Sequence, residues 1–274
     1  LTEKTFGLMD KQLVIRPGES HTVEWAIFPV GGADPYYAFV NAARRLNDVN
    51  FMIDGSFSFL RGDPGAEGLW SDEKLADYIK YKSLKYGCLY NCYPAGRTPG
   101  VAPLGLEWQG LDISEQVKLV DRLRRIAPGL QSLYYYHAFS DTSEEAMALF
   151  SDARLLTSAG EHADYGNAEL KLYIPTETNS FGVMTAKSLD IILDKIGADG
   201  VFWDEFEFSR YEYHYGEPWD GVSADINAKT MTIDTLKSSV TLLSLPWRMA
   251  QAKRILAHGK RSILIGNGAP RTRT

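Results

Sequence analysis

The chain has 274 residues, of which 45% are hydrophobic, 23% charged and 12% aromatic, so it has enough apolar side chains for a core and is not a disordered chain. Its 29 Lys and Arg against 35 Asp and Glu leave a net charge of −6, and no basic run is present to neutralise phosphates, which excludes a typical nucleic acid partner. No stretch approaches about 18 consecutive apolar residues, so we expect a soluble protein without a membrane span. The sequence does not determine the location of the protein, and both secretion and a periplasmic location stay open.

The first thirty residues differ from the rest of the chain. Two apolar-rich runs, residues 12–16 and 22–28, flank a Pro-Gly-Glu-Ser turn signal, and this pattern predicts a β-hairpin. Because two strands are not independently stable in water, we interpret residues 1–32 as the remnant of an accessory β-sandwich. Residues 33–274 are then a separate domain of catalytic type.

From residue 34 onward, helical and strand patterns alternate. Predicted helices begin near Asp34, Ser71 and Asp112, and Gly87 is predicted to end the second of them in a left-handed turn. Further helices are predicted at the apolar stripe Leu189, Ile192, Leu193 and Ile196 and at residues 245–258. Predicted strands fall at residues 51–59, 88–93, 133–139, 170–174, 200–204 and 262–266. Helices between nearly all of these strands imply a parallel sheet.

This alternation predicts the α/β class and a (β/α) TIM-type barrel. A complete barrel of eight units needs about 250 residues, whereas the sequence supplies about six strands, so we expect a barrel that is incomplete at its C-terminus. The alternative is an open, doubly wound sheet. No Gly-x-Gly-x-x-Gly follows the early strands, however, so we expect neither dinucleotide binding nor another cofactor.

Ligands of parallel sheets bind at the carboxyl ends of the strands. The polar and aromatic residues predicted there are Asp54, Asn91, Tyr93, Tyr136, His137, Glu177, Asp204, Glu205, Glu207 and Asn267. Side chains alternate along a strand, so Asp204 points to one face and Trp203 and Glu205 to the other. Glu205 therefore contributes to a site with Asp204 only if the strand ends or bends there.

The same alternation applies to the run of residues 134–137. Either Tyr134 and Tyr136 or Tyr135 and His137 face the site, and the sequence does not decide between these pairs.

Three acids, Asp204, Glu205 and Glu207, lie among aromatic residues at the end of the predicted strand. Carboxylates next to aromatic walls change their proton affinity, and a pair with separated pKa values can divide the roles of general acid and nucleophile. The alternative is that these acids are solvated loop charges or helix caps. The long segment that follows, residues 205–244, contains Trp219 and several tyrosines, which either bind the apolar face of a sugar or pack in the core.

A metal site is a further alternative. His137, His162 and Asp204 could converge in space, but the sequence has no His-x-His or His-Glu-x-x-His spacing, and we expect no metal. Serine nucleophile chemistry is disfavoured because no Gly-x-Ser-x-Gly occurs.

The run Gly-Ala-Asp-Gly-Val-Phe-Trp-Asp-Glu, residues 197–205, resembles a strand of the (β/α)8-barrel glycoside hydrolases, in which an acid follows a Gly-x-Asp-Gly-hydrophobic segment. Many such families also place a β-sandwich before the barrel, similar to the predicted hairpin. The resemblance implies that Asp204 is the nucleophile or a stabilising carboxylate, with Glu205 as the alternative. A second acid is expected from a later strand, and Glu177 is its substitute within this chain.

We therefore expect a glycoside hydrolase-like domain that hydrolyses glycosidic bonds of a carbohydrate with paired carboxylates. The expected catalytic residues are Asp204, Glu205 and Glu177, and the expected substrate contacts are Asp54, Tyr136, His137, Trp203, Trp219 and Asn267. The alternatives are a non-catalytic carbohydrate-binding barrel and a metal-dependent hydrolase. The sequence leaves open the sugar, its linkage, the stereochemical outcome and the oligomeric state.

Overall fold

The computed structural model describes residues 9–49, 54–61, 66–90, 104–268 and 272. The predicted site residues Asn91 and Tyr93 lie outside these ranges. Among the described helices, none combines the length and the apolar character needed to cross a bilayer.

The core of the fold is a parallel sheet of five strands. In chain order, and in the order in which they pair, they are Ser56–Arg61, Leu84–Tyr90, Gln131–His137, Gly200–Asp204 and Ile263–Gly266, here called the first to fifth strands. Spatial order follows chain order without a reversal, which is the arrangement of a barrel and not of a doubly wound sheet. The chain is thus α/β with a parallel sheet, and the described residues do not close it into a complete barrel.

Helices connect the strands and cover one face of the sheet. The longer ones are Asp72–Tyr81, Ser114–Ile126, Ser180–Asp190 and Val240–Ala257, and a π-helical turn, Ile191–Lys195, extends the third of these. A further helix, Pro35–Leu46, precedes the first strand and contains no buried residue. Single turns of helix lie at Glu67–Leu69, Glu107–Gly110, Ala146–Leu149 and Ser151–Ala153. The predicted cap at Ser71 is confirmed, since its side chain accepts a hydrogen bond from the backbone N–H of Lys74 at 3.3 Å.

In the described part of the chain, three small antiparallel pairs lie outside the main sheet. They join Ser140–Asp141 to Lys171–Leu172, Tyr213–His214 to Ser238–Ser239, and Ala224–Ile226 to Ile233–Leu236. The strand predicted at residues 170–174 is the second partner of the first pair, so it does not enter the parallel sheet.

The two faces of the parallel sheet differ in what they contact. The face under the helices contributes the buried side chains of Leu60, Leu89, Tyr134, Val201 and Trp203 to the core. The opposite, aromatic face buries Cys88 and Leu133 and carries the partly exposed rings of Phe57, Phe59, Tyr90, Tyr135 and Phe202.

Contacts across the aromatic face show that the sheet is strongly curved. The ring of Phe202 on the fourth strand lies 5.2 Å from the rings of both Phe57 and Phe59 on the first strand. In a flat sheet with about 4.8 Å between strands, these two strands would be about 14 Å apart. The aromatic face is therefore concave, and its curvature is that of a barrel wall.

The hairpin predicted in the first thirty residues does not form. Residues 22–28 carry no strand, and the backbone around Leu13 pairs instead with the loop after the fourth strand. The backbone N–H of Val14 donates to the carbonyl of Val222 at 2.7 Å, and the backbone N–H of Ala224 donates to the carbonyl of Gln12 at 2.8 Å. The first run thus finds its hydrogen-bond partners far along the chain, and an accessory sandwich in residues 1–32 stays a prediction.

Two predicted helix boundaries are also wrong. Gly87 lies inside the second strand, where a Cβ would meet the side chain of Leu60 at 2.9 Å, and the left-handed turn after the helix is made by Ser83 with φ +50°. The last helix begins at Val240 and includes Pro246, because Ser239 caps it by accepting the backbone N–H of Leu242 at 3.4 Å.

The amino ends of three strands are joined at Asp199, a residue 7% exposed. One carboxylate oxygen accepts the backbone N–H of Ser132 at 2.8 Å and its hydroxyl at 3.1 Å, while the other lies 3.3 Å from the guanidinium of Arg261. Next to it, a Cβ on Gly200 would meet the carbonyl oxygen of Ile263 at 1.8 Å. The Asp-Gly pair of the motif therefore anchors the third, fourth and fifth strands.

Replacing Asp199 tests this anchor. Asp199→Asn removes the charge that Arg261 contacts and turns one acceptor oxygen into a donor that faces the N–H and hydroxyl of Ser132 or the guanidinium of Arg261, so we expect a loss of about 2–3 kcal/mol in the free energy of unfolding, measured by urea denaturation. Asp77→Asn, on an exposed face of the helix Asp72–Tyr81, is the matched control and should change stability by less than about 0.5 kcal/mol. Equal stabilities of the two variants would contradict the assignment.

Two histidines outside the main sheet have lowered pKa values and are neutral at pH 7. Burial lowers the pKa of His214, whose Nδ1 accepts the backbone N–H of Leu156 at 3.0 Å. Burial also lowers the pKa of His162, whose ring nitrogen Nε2 lies 2.9 Å from the carbonyl oxygen of Leu172. Protonating His214 removes the acceptor of the partly buried backbone N–H of Leu156.

This pairing predicts a loss of stability in mild acid. Because the folded pKa of His214 lies below the value of about 6.5 for an unfolded chain, the unfolded state binds more protons as the pH falls below 6.5. The stabilisation is therefore complete above that pH and is lost as the pH falls towards the folded pKa. Urea midpoints at pH 7.5 and 5.5 measure the effect, and His214→Gln should reduce the difference between them; an unchanged difference would refute the role of His214.

Candidate functional site

A tight turn at the carboxyl end of the fourth strand places two acids together. The strand ends at Asp204, and Glu205 has a φ of +49°, in the left-handed region that costs a residue with a side chain about 1 kcal/mol. Two backbone hydrogen bonds join the turn to Asn267, the residue after the fifth strand. The N–H of Phe206 donates to the carbonyl of Asn267 at 3.0 Å, and the N–H of Asn267 donates to the carbonyl of Trp203 at 2.8 Å. The bend that Glu205 needs to join Asp204 is therefore present.

The carboxylate of Asp204 is half-buried and fixed through both oxygens. Oδ2 accepts the hydroxyl of Tyr135 at 2.6 Å, and Oδ1 accepts the side-chain amide of Asn267 at 2.6 Å and the backbone N–H of Glu205 at 3.1 Å. Burial, and next the hydrogen bond to Asp204, raise the pKa of Tyr135 far above its ordinary value. Tyr135 therefore keeps its proton and acts as a donor.

The carboxylate of Glu205 accepts from three side chains. Oε2 contacts Nε2 of His137 at 2.9 Å and accepts the hydroxyl of Ser209, while Oε1 accepts the hydroxyl of Tyr165 at 3.0 Å. The backbone N–H of Phe139 donates to Nδ1 of His137 at 3.3 Å, so Nδ1 is an acceptor and Nε2 is the nitrogen that donates to Glu205.

These contacts determine the charge of Glu205. Burial acts to raise the pKa of Glu205, but the hydrogen bonds from His137 and Ser209, with a smaller contribution from Tyr165, outweigh it and bring the pKa below its ordinary value. Glu205 is thus a carboxylate at neutral pH and is a better acceptor of hydrogen bonds than a donor of protons.

An aromatic floor lies next to these acids on the concave face. The ring of Tyr135, which holds Asp204, is 4.9 Å from the ring of Tyr90 and 6.2 Å from that of Phe202. Phe59 extends this floor at 5.6 Å from Tyr90. The arrangement combines fixed carboxylates with apolar ring faces, which is suited to a ligand that has both hydroxyl groups and C–H surfaces.

Four of the predicted site residues come together here. Asp204 and Glu205 occupy the turn, His137 contacts Glu205, and Asn267 contacts Asp204. The alternation that the sequence left open is resolved in favour of Tyr135 and His137 as the pair that faces the site.

Tyr136 and Trp203 lie on the opposite face of the sheet. The hydroxyl of Tyr136 donates to the carbonyl of Thr185 at 3.2 Å, and its ring is 5.1 Å from that of Trp203, which in turn is 5.6 Å from Trp247. Both side chains are buried among the helices, so the prediction that they contact substrate is corrected.

The other predicted residues lie elsewhere. Asp54 precedes the first strand, at the opposite end of the sheet from Asp204, and accepts the hydroxyl of Tyr86 at 2.5 Å. The indole N–H of Trp219 donates to the carbonyl of Ser223 at 2.8 Å, inside its own loop. Glu177 is exposed in the turn before the helix Ser180–Asp190, and no hydrogen bond or ion pair of the described residues joins it to the two acids.

Glu207, the third of the clustered acids, and the two histidines of the metal alternative have structural partners. Glu207 is buried, accepts the hydroxyl of Thr272 at 2.8 Å and lies 3.9 Å from the guanidinium of Arg248. His137 uses Nε2 for Glu205, whereas His162 uses Nε2 for a backbone carbonyl. In the described ranges, no three side chains of His, Cys, Asp or Glu form a group that could hold a metal ion.

Sequence reasoning missed Tyr165 and Ser209. Tyr165 follows a loop with no regular pattern, and Ser209 lies four residues after Glu205 in the long segment beyond the fourth strand. Neither position carries a local signal, because each reaches Glu205 only through the folded path of its loop.

No protein-family model matches the sequence, and no curated protein matches it. Among solved structures, the chain is similar to an α-galactosidase from Thermus thermophilus in complex with stachyose, with 15% identity, a TM-score of 0.46, and coverage of 81% of this chain and 42% of that one. A variant of the GH36 α-galactosidase AgaA from Geobacillus stearothermophilus gives 12% identity, a TM-score of 0.47, and coverage of 80% and 29%. A maltogenic α-amylase from Thermotoga neapolitana has 15% identity and a TM-score of 0.44, and the match covers 77% of this chain and 44% of that one. The chain thus spans less than half the length of each of these glycoside hydrolases.

Proposed function

We propose that this chain carries a carbohydrate-hydrolysing site of glycoside hydrolase type in which Asp204 is the reacting carboxylate. The observation that carries the proposal is the fixed position of Asp204, whose two oxygens accept from Tyr135 and Asn267 at the carboxyl end of a parallel sheet and beside an aromatic floor. The resemblance of residues 197–205 to a barrel strand of glycoside hydrolases supports the same role.

In the proposed reaction, a carboxylate oxygen of Asp204 forms a bond to the anomeric carbon while the bond to the leaving oxygen breaks, and the electron pair of that bond stays with the leaving group. Water then attacks the glycosyl ester, releases the sugar and restores the carboxylate, losing a proton to solvent. Tyr135 is not the nucleophile, because its raised pKa keeps it protonated. Its hydroxyl and the amide of Asn267 orient the reacting oxygen.

Protonation of the leaving group is the demanding step for this site. Glu205 is a poor general acid because its pKa is lowered, and the contacts of the described residues bring no other carboxyl group against Asp204. The proposal therefore favours substrates whose leaving groups need little protonation, such as glycosyl fluorides and 2,4-dinitrophenyl glycosides. Glu177 as the acid stays a prediction.

Asp204→Asn tests the reacting carboxylate. On a panel of glycosyl fluorides and 2,4-dinitrophenyl glycosides of glucose, galactose, mannose and xylose, in both anomeric forms, we expect kcat to fall about 1,000-fold or more. With Asp204→Gly, added azide should restore turnover and give a glycosyl azide, since the small anion replaces the missing oxygen. Asp77→Asn is the control with wild-type kinetics; an Asp204→Asn protein of undiminished rate would rule the proposal out.

Tyr135→Phe tests the orientation of Asp204. The change removes one hydrogen bond to a charged group, worth about 1.5–3 kcal/mol, so kcat on the same substrates should fall about 10- to 100-fold. Near-ultraviolet circular dichroism compares the folding of the variant with that of the wild type. A well-folded Tyr135→Phe protein with wild-type kcat would show that this hydrogen bond does not serve the reaction.

A non-catalytic carbohydrate-binding domain is the second candidate. It is favoured by one observation, that the acid next to Asp204 is held as a carboxylate and not as a proton donor. If the protein binds sugars but turns over none of the activated glycosides, the second candidate is correct.

A further inference from the structure

We propose that Tyr165 and Glu205 form a sugar-ring subsite beside Asp204, in which the ring of Tyr165 packs on the C–H face of an uncharged pyranose and Glu205 accepts one of its hydroxyl groups. The inference deepens the proposed function and rests on it, because it takes Asp204 as the reacting group. It adds the residues that hold the sugar and the class of sugar that they select.

Tyr165 is an exposed ring with a fixed hydroxyl. The residue is 44% exposed, although its hydroxyl is anchored on Oε1 of Glu205 at 3.0 Å and its ring stands edge-on to His137, with 6.4 Å between ring centroids. Such a ring loses little conformational freedom when a ligand packs on it. An apolar ring face fixed beside two carboxylates offers a planar surface to the C–H side of a sugar.

The loop that carries Tyr165 is itself anchored. The backbone N–H of Tyr165 donates to the carbonyl of Leu170 at 2.9 Å, and the N–H of Gly166 donates to the carboxylate of Asp164 at 2.9 Å. The ammonium group of Lys171 lies 3.4 Å from the same carboxylate. The ring face is therefore formed before any ligand binds.

Glu205 keeps acceptor capacity on the oxygen that contacts Tyr165. An ionised carboxylate has about four acceptor positions, and the contacts of Glu205 use two on Oε2 and one on Oε1. His137 and Ser209, which bind Oε2, are buried, while the side chain of Glu205 is 26% exposed. The remaining position on Oε1 is available to a hydroxyl donor.

The charge of the site selects the class of sugar. Asp204 and Glu205 are adjacent acids, and a ligand that brings its own carboxylate would meet like charge at both. A neutral glycoside supplies only donors and acceptors. The subsite should therefore bind a glucoside or galactoside in preference to the uronic acid of the same configuration.

The experiment measures binding separately from turnover. Methyl glucosides and galactosides, in both anomeric forms, and the corresponding methyl uronides are titrated by calorimetry into the protein with Asp204 intact and into the Asp204→Asn protein. KM and kcat are measured with Asp204 intact on the activated glycosides. Three variants are compared: Tyr165→Phe keeps the ring, Tyr165→Leu removes it, and Glu205→Gln removes the charge. Tyr81→Leu, at a tyrosine that is 83% exposed on another part of the surface, is the matched control.

We expect Tyr165→Leu to weaken binding of the neutral glycoside about 10-fold, and Tyr165→Phe to weaken it less than about 3-fold. Glu205→Gln should weaken it about 10-fold and reduce the preference for the neutral sugar over the uronide. KM should rise more than kcat falls in both Tyr165→Leu and Glu205→Gln. Tyr81→Leu should match the parent protein.

The outcomes separate the two proposals. Hydrolysis that depends on Asp204 but is unchanged in KM by Tyr165→Leu and Glu205→Gln would overturn the subsite and leave the proposed function standing. Binding with the expected variant pattern but no turnover would overturn the hydrolase and leave the subsite as that of a binding domain. A Tyr165→Phe protein as weak as Tyr165→Leu would overturn the role of the ring, and a protein that binds none of the sugars would overturn both proposals.

Discussion

The arrangement of the site depends on one backbone residue in a left-handed conformation. Without the bend at Glu205, alternation along the strand would send this side chain towards the helices, as it does for Trp203. With the bend, Asp204 and Glu205 contact side chains two positions apart on the neighbouring strand, Tyr135 and His137. The conformational cost of about 1 kcal/mol is offset by the three hydrogen bonds that Glu205 accepts and by the backbone pairs with Asn267.

The two carboxylates are adjacent in sequence but differ in environment. Asp204 is oriented by a tyrosine and an amide, whereas Glu205 is kept charged by a buried histidine and a buried serine. This difference supports the proposal in which Asp204 is the reacting group and Glu205 contacts the sugar. In that proposal Glu205 is a ligand contact, whereas the sequence analysis offered it as the alternative to Asp204 in the reacting role.

Part of this architecture could be predicted because its causes are local. The strand Gly200–Asp204 agrees with its predicted bounds, and the parallel sheet follows from the alternation of helical and strand patterns. Side-chain alternation correctly placed Asp204 and Trp203 on opposite faces of the strand. The cap at Ser71 depends only on a hydrogen bond to a backbone N–H three residues further along the chain. Each of these signals is contained in a short window of sequence.

The features that could not be predicted depend on contacts between distant segments. Leu13 has strand character but pairs with Ser223, and nothing near it in the sequence specifies this partner. Gly87 has the composition of a helix terminator, yet it serves the close packing of Leu60 against its strand. Tyr165 reaches Glu205 through a loop whose path is set by its own turns, so its place in the site is a property of the fold.

The packing behind the fourth strand has a consequence for genetics. Trp203 sits directly between Asp204 and the helix layer, where it touches Tyr136 and Trp247. If the proposed function holds, a random library screened for null phenotypes would recover substitutions at these aromatic positions together with those at the acids, although the aromatic side chains are buried on the opposite face of the sheet. Suppressors should then distinguish the two groups, because compensating changes in neighbouring helices can restore the support of a strand but cannot replace a missing carboxylate.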